Sequence, residues 1–546
     1  MAGQEERGGA NYFSLRTFLL VRHACGAYGE TGTQSEMLNR VTHLFDCIEM
    51  GQSYTFSNGQ VTFSNKFYNT SAVDVWKSYG ANMNISSIWW GTTYAAENQS
   101  AIEHESAAMH NPDKPTDIPA VAWWKIGKQA ASASEYPGSV NLIDVHNNKY
   151  LGSFKYNDSL FEGWNAFHSP SHEQYDKDGN IWTVVALQRS KPGRSNIVEL
   201  KRVVAYLKPD GERVPVAEYH YSDVNLTKCS DTGGIRYPDS TGRMKNVHSV
   251  QITKDYFVIP ETSYLQDPCH WVYNNPDIPG WLDEYSYEEG VDARIVIVHM
   301  ADKKIAGKIP VPPMFITHML GAYQDDENSL LHFDVLHYTD STTYTKYSFI
   351  DEILKDEPFP VNYTTVLRYT INTADWSLVE RKDLITSDIE RAFEFSTINT
   401  AFQGRPYKYA YMAKNPFKRY GSVAKLNVDT GETLEGQLPD GVFPTEPIFV
   451  AAPGATQEDD GVVLMSGLDG RRGKGCIMVF NATNMEVVLH ATAPKLTLFG
   501  IHSKFYSFDE GCGVEDCTPL AESGSRSTMN SFLSLVLVLP IIAVKL

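Results

Sequence analysis

The sequence predicts an all-β fold, and three observations carry that prediction. Apolar runs of four to eight residues, rich in Val, Ile, Tyr and Phe, recur along the chain, each bounded by Gly, Asn, Asp or Pro. The 39 Gly, 27 Pro and 12% aromatic residues favour short strands and turns over long helices. Helical periodicity is scarce. Hairpins spaced through some five hundred residues indicate a sandwich array or a β-propeller. No WD or kelch signature repeats, so any blades are cryptic.

The strands read in order as SYTFSNGQVTFSNKFY (53–68), IWTVVAL (181–187), RVVAYLK (202–208), ARIVIVHM (293–300), TTVLRYTI (364–371), GVVLMSG (461–467) and CIMVFNA (476–482). The first holds an N-G between two alternating runs, the strongest short hairpin signal. DKDGN (176–180), KPDGE (208–212), VDTGE (428–432) and LDGRRGKG (468–475) are turns of the same kind. Short helices are expected at SDVNLTKCS (222–230), SFIDEILKD (348–356) and SDIERAFEF (387–395). No long linker divides the chain before about residue 508, so one large domain plus a tail is expected.

The composition, 42% apolar and 21% charged over 546 residues, is that of a globular protein. Lys and Arg number 47 against 66 Asp and Glu, a net charge of −19. Such a surface repels phosphate backbones and argues against nucleic acid as a partner. Seven cysteines are sparse and odd in number, so no disulfide framework is implied. Cys512 and Cys517 are close enough for a local bridge; Cys25, Cys47, Cys229, Cys269 and Cys476 are expected to be buried or reduced thiols.

The two ends bear on location. MAGQEERGGANYF lacks the basic start and apolar run of a secretory signal. FLSLVLVLPIIAV (532–544) carries no charge, yet at ~1.5 Å per helical residue it is too short to span a bilayer comfortably. Ser523, Gly524 and Ser525 precede it, then a short polar stretch, an order that resembles a glycolipid-anchor signal. The expectation is a cytoplasmic or peripheral membrane protein, with a glycolipid-type C-terminal signal if a leader precedes this chain. N-x-S/T motifs stand at Asn69, Asn84, Asn98, Asn157, Asn225, Asn362 and Asn481, a small excess over the roughly four that chance supplies.

Four of the sixteen histidines share one kind of neighbourhood, near a strand boundary among apolar or Gly residues. They are His172, His248, His318 and His502, with spacings of 76, 70 and 184 residues. The first two spacings match one repeat of a seven-fold propeller of this length. Placed on innermost strands, all four would point at the axis and build a metal site from residues far apart in sequence. A single His beside a strand is ordinarily a hydrogen-bonded core or surface residue, so the spacing alone does not decide.

The flanks do more. RAFEFSTINTAFQGRPYKYAYM (391–412), FPTEPIFVAAPGATQEDDGVVLMSG (443–467), HSVQITKDYFVIPE (248–261) and LNRVTHLFDCIEMGQSYTFSNGQVTFSNKFY (38–68) resemble blocks of the carotenoid cleavage oxygenase family, animal branch. The resemblance implies a seven-bladed β-propeller over residues 18–507, with a cap of loops and short helices over its top face. A polar tail (508–531) and a hydrophobic segment (532–546) follow. It implies one Fe2+ per chain held by His172, His248, His318 and His502, with Glu135, Glu394 and Glu446 behind the imidazoles. His172 is preferred to His168 because the family's ligand lies six residues before the Asp of the following turn, here Asp178. Glu173, Gln174, Gly321 and Ser503 replace the family's usual Pro, His, Asn and Gly.

The activity so implied is cleavage of a conjugated double bond of a carotenoid by O2, with β-carotene cut at its central 15,15′ bond as the expected case and retinal or another apocarotenal as product. The alternatives are a retinoid-ester isomerohydrolase on the same iron, and a non-catalytic carotenoid or lipid carrier. Carotenoid or retinoid, O2 and a lipid surface are the implied partners. Imidazoles suit iron, zinc, copper and nickel alike, so only the resemblance selects the metal. A long apolar substrate needs an aromatic tunnel, for which Trp164, Phe315, Tyr323 and Phe499 are candidates that blade packing explains equally well. The family's "YPDPCK" segment is absent from WGTTYAAENQS (90–100), and its opening turn reads RHACG (22–26).

Overall fold

The computed structural model describes residues 18–26, 48–57, 59–70, 121–135, 139–232, 236–271, 285–348, 350–355, 357–359, 363–387, 389–416, 418–496, 500–507, 510–511 and 527–528. Among them, seven antiparallel sheets follow one another along the chain as the blades of a propeller, and an eighth sheet of three short strands is an accessory. Counted from the closing blade as the first, the seven innermost strands are short or irregular: Gly500–Ser507, Ala122–Ile126, Gln174–Tyr175, Gln251–Ile252, Phe315–Asp325, Phe393–Ile398 and Val442–Ala451. Successive members of this set pack against one another around the axis.

The closing blade mixes the two ends of the chain. Phe18–Gly26 pairs with Gly500–Ser507 on one side and with Ile48–Ser57 on the other. The next hairpin, Ile48–Ser57 with Gln60–Phe67, turns through the two-residue loop read from the sequence, with Ser57 opposite Gln60 and Gly59 at φ 77°. Gly179, Gly211, Gly431 and Gly473 likewise take positive φ at the anticipated turns.

Near-continuous apolar strands follow from the architecture. A blade is covered on both faces by its neighbours, so alternate residues of one strand feed two different cores. Ile295 and Ile297 enter the core between the fourth and fifth blades; Val296 and Val298 enter the one between the third and fourth. Leu464 packs toward the closing blade, and Met465 toward the sixth. Seven such inter-blade cores encircle the axis.

Among the described residues the helical segments are short: Leu226–Thr232, Ser240–Gly242, Pro268–Trp271 and Thr400–Phe402 are 3-10, Thr343–Tyr347 is a π turn, and Ile350–Lys355 is a short α-helix. The helix lies within the expected 348–356 segment. The 222–230 segment is a two-residue strand followed by a 3-10 turn, and Phe393–Ile398 is a strand where helix was expected. There Phe393 enters an inter-blade core while Glu394 and Phe395 both face the axis, and tertiary contact overrides local propensity. Among the described residues no helix is long and apolar enough to cross a membrane.

The cysteine expectation needs one correction. Cys229 and Cys269 form a disulfide across 40 residues, with Cα atoms 5.5 Å apart. Sequence distance concealed the pair, because the 3-10 turns that carry them pack side by side. Cys476 is a buried thiol, as expected. Cys47, Cys512, Cys517 and the tail from 529 onward lie outside the described residues, as does the side chain of Cys25.

Two-sided burial makes a specific prediction. Leu464→Ala and Met465→Ala, adjacent residues on opposite faces, each cost about 2–5 kcal/mol in denaturant unfolding. A strand buried on one face only would lose that much at one of the two positions.

Candidate metal centre

Four imidazoles from separate innermost segments meet at the axis. The ring of His172 lies 4.8 Å from His248, 4.7 Å from His318 and 4.6 Å from His502, centre to centre. The Nε2 atoms of His172 and His248 are 3.2 Å apart, and those of His248 and His318 are 3.3 Å apart. One ring nitrogen from each of His172, His318 and His502 falls within 4.8 Å of the others.

Carboxylates stand behind three of the four rings. Glu135 Oε1 is 2.8 Å from His248 Nδ1, and Glu446 Oε1 is 3.3 Å from His502 Nδ1. Glu394 contacts His318 Nδ1 through Oε2, and its Oε1 accepts the hydroxyls of Thr317 and Tyr338. Its Oε2 also accepts the Phe395 N–H at 2.6 Å. A carboxylate at Nδ1 keeps the proton on that nitrogen and turns the Nε2 lone pair inward. The Nε2 lone pairs of His248 and His318, both so backed, lie only 3.3 Å apart and repel one another, so this donor set fits a cation at the axis.

Charge follows the same pattern. Burial pushes His172 well below the usual imidazole range, and the other three rings and Lys504 add to this. Burial also lowers His318, partly offset by Glu394. Burial opposes the charged form of His248 too, but Glu135 outweighs it and holds that ring above its usual value. Burial alone would raise Glu394; contact with His318 and the hydrogen bonds from His318, Thr317 and Tyr338 prevail and hold it at about 2.

Irregular backbone aims these side chains. His318 lies in a register shift of Phe315–Asp325, Glu394 begins one in Phe393–Ile398, and Glu446 lies in one between Pro444 and Pro447. His502 lies where Gly500–Ser507 slips against Phe18–Gly26. A bulge breaks the strict in-and-out alternation of a strand and turns a side chain toward the axis. Phe395 has φ 56°, a costly conformation for an aromatic residue, next to Glu394. Its ring is 5.5 Å from His318 and 5.6 Å from His502.

The His172 segment is anchored differently. Trp124 Nε1–H donates to the Ser171 carbonyl at 2.6 Å, and His172 bridges to Ser249. Glu173 pairs with Lys504, which ties the neighbours of His172 and His502 together. Gln403 donates to Gln174 at 2.7 Å. His168 is buried nearby at the end of Asn165–His168 and is not one of the four rings that meet. At Gly321 a Cβ would lie 2.7 Å from the Tyr407 ring, so no side chain fits where the family has Asn.

An aromatic wall adjoins the imidazoles. Tyr344 is 6.4 Å from His248 and 5.3 Å from Phe315, which Tyr264 and Tyr338 flank at 5.3 and 5.7 Å. Of the aromatics expected from sequence, Phe315 stands in this wall. Tyr323 packs on His332 and Tyr407 in an inter-blade core, and Trp164 lies under Arg189 and Lys201 on the third blade. Phe499 lies outside the described residues. Tyr264, Tyr338, Tyr344 and Phe395 were not anticipated; only Phe395, flanking Glu394 in FEF, carried a sequence signal.

Comparison with known proteins places the chain in one family. The family model described as retinal pigment epithelial membrane protein (RPE65) matches residues 21–507. Carotenoid isomerooxygenase of Galleria mellonella is 24% identical over 470 residues, 83% of this chain and 84% of the relative. Beta,beta-carotene 15,15′-dioxygenase of Gallus gallus is 24% identical over 500 residues, 85% of this chain and 89% of the relative. Among solved structures, a variant of Synechocystis apocarotenoid oxygenase superposes with TM-score 0.66 at 17% identity, over 92% of this chain and 97% of its own. Cobalt-substituted Synechocystis apocarotenoid oxygenase gives 0.65 at 17% identity, over 90% and 92%. These superpositions share the fold.

Metal analysis of purified variants tests the four rings. His248→Ala and His502→Ala abolish metal retention, and His172→Ala does so while His168→Ala does not. Glu394→Gln leaves the fold intact and weakens metal affinity by about 10–100-fold in chelator competition.

Proposed function

The chain belongs to the retinal pigment epithelial membrane protein family of carotenoid oxygenases, and on that premise we infer that it is an Fe(II)-dependent dioxygenase cleaving a conjugated double bond of a carotenoid. The observation that carries the reading is the meeting of four imidazoles on one axis, three of them backed by carboxylates. His172, His248, His318 and His502 would hold the ion. A ferrous ion bound there would supply O2 activation beside an electron-rich double bond.

The chain's own residues do the rest. Glu135, Glu394 and Glu446 fix the ring tautomers and offset the ion's charge in a mostly apolar axis. The wall of Phe395, Tyr344, Phe315 and Tyr264 offers an apolar, polarisable face to a polyene and keeps water from it. β-Carotene and its central 15,15′ bond are the substrate and position we assign, in line with what the Gallus gallus relative is named for. A substrate of that kind resides in lipid, so a peripheral lipid surface is its source, and the apolar 532–546 segment suits docking there.

Incubation with β-carotene under ¹⁸O2, with products analysed by mass and iron quantified on the same sample, tests this reading. Stoichiometric iron and two aldehyde fragments, each carrying one ¹⁸O, are expected. Iron-loaded protein that leaves a panel of carotenoids intact, or that processes a retinoid ester without O2, overturns it. Bound pigment without iron does so too.

A further inference from the structure

The metal centre uses neither the cysteines nor the N-x-S/T motifs, yet the two meet on the third blade. Val224–Asn225 adds to the strand Arg194–Leu207, and the 3-10 turn Leu226–Thr232 follows at once with Cys229. Cys229 and Cys269 are fully buried among Phe167, Val198, Leu200 and Tyr237. The Asp267 carboxylate gathers this corner by accepting the backbone N–H groups of Tyr237 at 2.8 Å and Cys269 at 2.9 Å. The crosslink encloses the stretch that carries His248 near its middle. Disulfides of this structural kind persist in oxidising compartments and are rare in the reducing cytosol.

Two sequons are presented in the same local form. Asn225 Oδ1 accepts the Thr227 backbone N–H at 3.2 Å and the Thr227 hydroxyl at 2.8 Å, both at the surface. Asn481 Oδ1 accepts the Thr483 N–H at 2.9 Å, also at the surface. Both sequons thus sit in surface Asx-turns, with the Thr227 hydroxyl turned onto Asn225 and the Thr483 hydroxyl donating to the Asp459 carbonyl at 3.2 Å. Asn157 differs, because its Nδ2 is already held on the Asp210 carbonyl at 2.6 Å, where a sugar has to compete for the same nitrogen.

We propose that Asn225 and Asn481 are N-glycosylation sites and that Cys229–Cys269 is a formed disulfide, so the propeller matures in an oxidising, glycosylating compartment. In the first step the two thiols give two protons and two electrons to a dithiol–disulfide oxidoreductase, whose own disulfide is reduced to two thiols. In each glycan transfer, Nδ2 bonds to the anomeric carbon of a lipid-pyrophosphate oligosaccharide. The sugar's C–O bond breaks, lipid pyrophosphate leaves, and the amide loses one proton to a base. Neither step depends on the iron or on the substrate.

Peptide mapping of the full chain purified from the organism that makes it tests the proposal. The protein is alkylated before and after reduction, then digested with and without an N-glycanase in ¹⁸O water. The expected map shows Cys229 and Cys269 peptides linked and alkylated only after reduction, Asn225 and Asn481 converted to ¹⁸O-labelled Asp, and Asn157 unchanged. Alkylation of Cys229 and Cys269 without reduction overturns the proposal, and so does either Asn225 or Asn481 left bare.

Discussion

Imidazole lone pairs aimed at one point inside a protein repel each other, and the rest of this structure serves to hold them there. The nearest Nε2 atoms are 3.2 and 3.3 Å apart. No single strand or helix could place four such rings, because a strand sends alternate residues to opposite faces. A closed ring of blades can, since four of the seven innermost segments each contribute one ring and the next blade blocks its retreat. The strand pairing of Phe18–Gly26 with Gly500–Ser507 is therefore part of the site, for it fixes His502 relative to the others.

The carboxylates add orientation to position. Glu394 is the most heavily engaged, receiving His318, Thr317, Tyr338 and the Phe395 amide, and it stays charged although buried. Its charge persists from neutral pH down through the ordinary carboxyl range and is lost only as pH falls toward about 2. His172 depends instead on Trp124, Ser249 and, through Glu173, on Lys504. Bulges at His318, Glu394 and Glu446 sacrifice ladder pairing to aim these groups, and Phe395 bears a left-handed backbone for the same end.

Much of the fold was legible in the sequence because its signals are local. Hairpin glycines, β-branched runs and the N-G turn lie within a few residues of what they specify. The two-sided cores also leave a local trace, since Ile295–Val298 and Val462–Met465 lack polar alternation. The four histidines that meet were legible through spacing and flanking blocks, and counting back from Asp178 points to His172, whose ring is among those that meet, and not to His168. What local signals do not carry is which distant segments become neighbours. Tyr264, Tyr338 and Tyr344 look like ordinary strand and turn tyrosines until the accessory sheet, one blade and the π turn bring them together beside the imidazoles. Cys229 and Cys269 look like isolated thiols until two turns pack together. Phe393–Phe395, the end of the expected 387–395 helix, belong to a strand whose pairing partner lies later in the chain.

X-ray absorption at the iron edge on the purified protein tests the central claim most directly. The account predicts one iron per chain in a shell of four imidazole nitrogens, collapsing when His318 is replaced by Ala. An iron shell made chiefly of oxygen, or an unchanged shell in that variant, would contradict it.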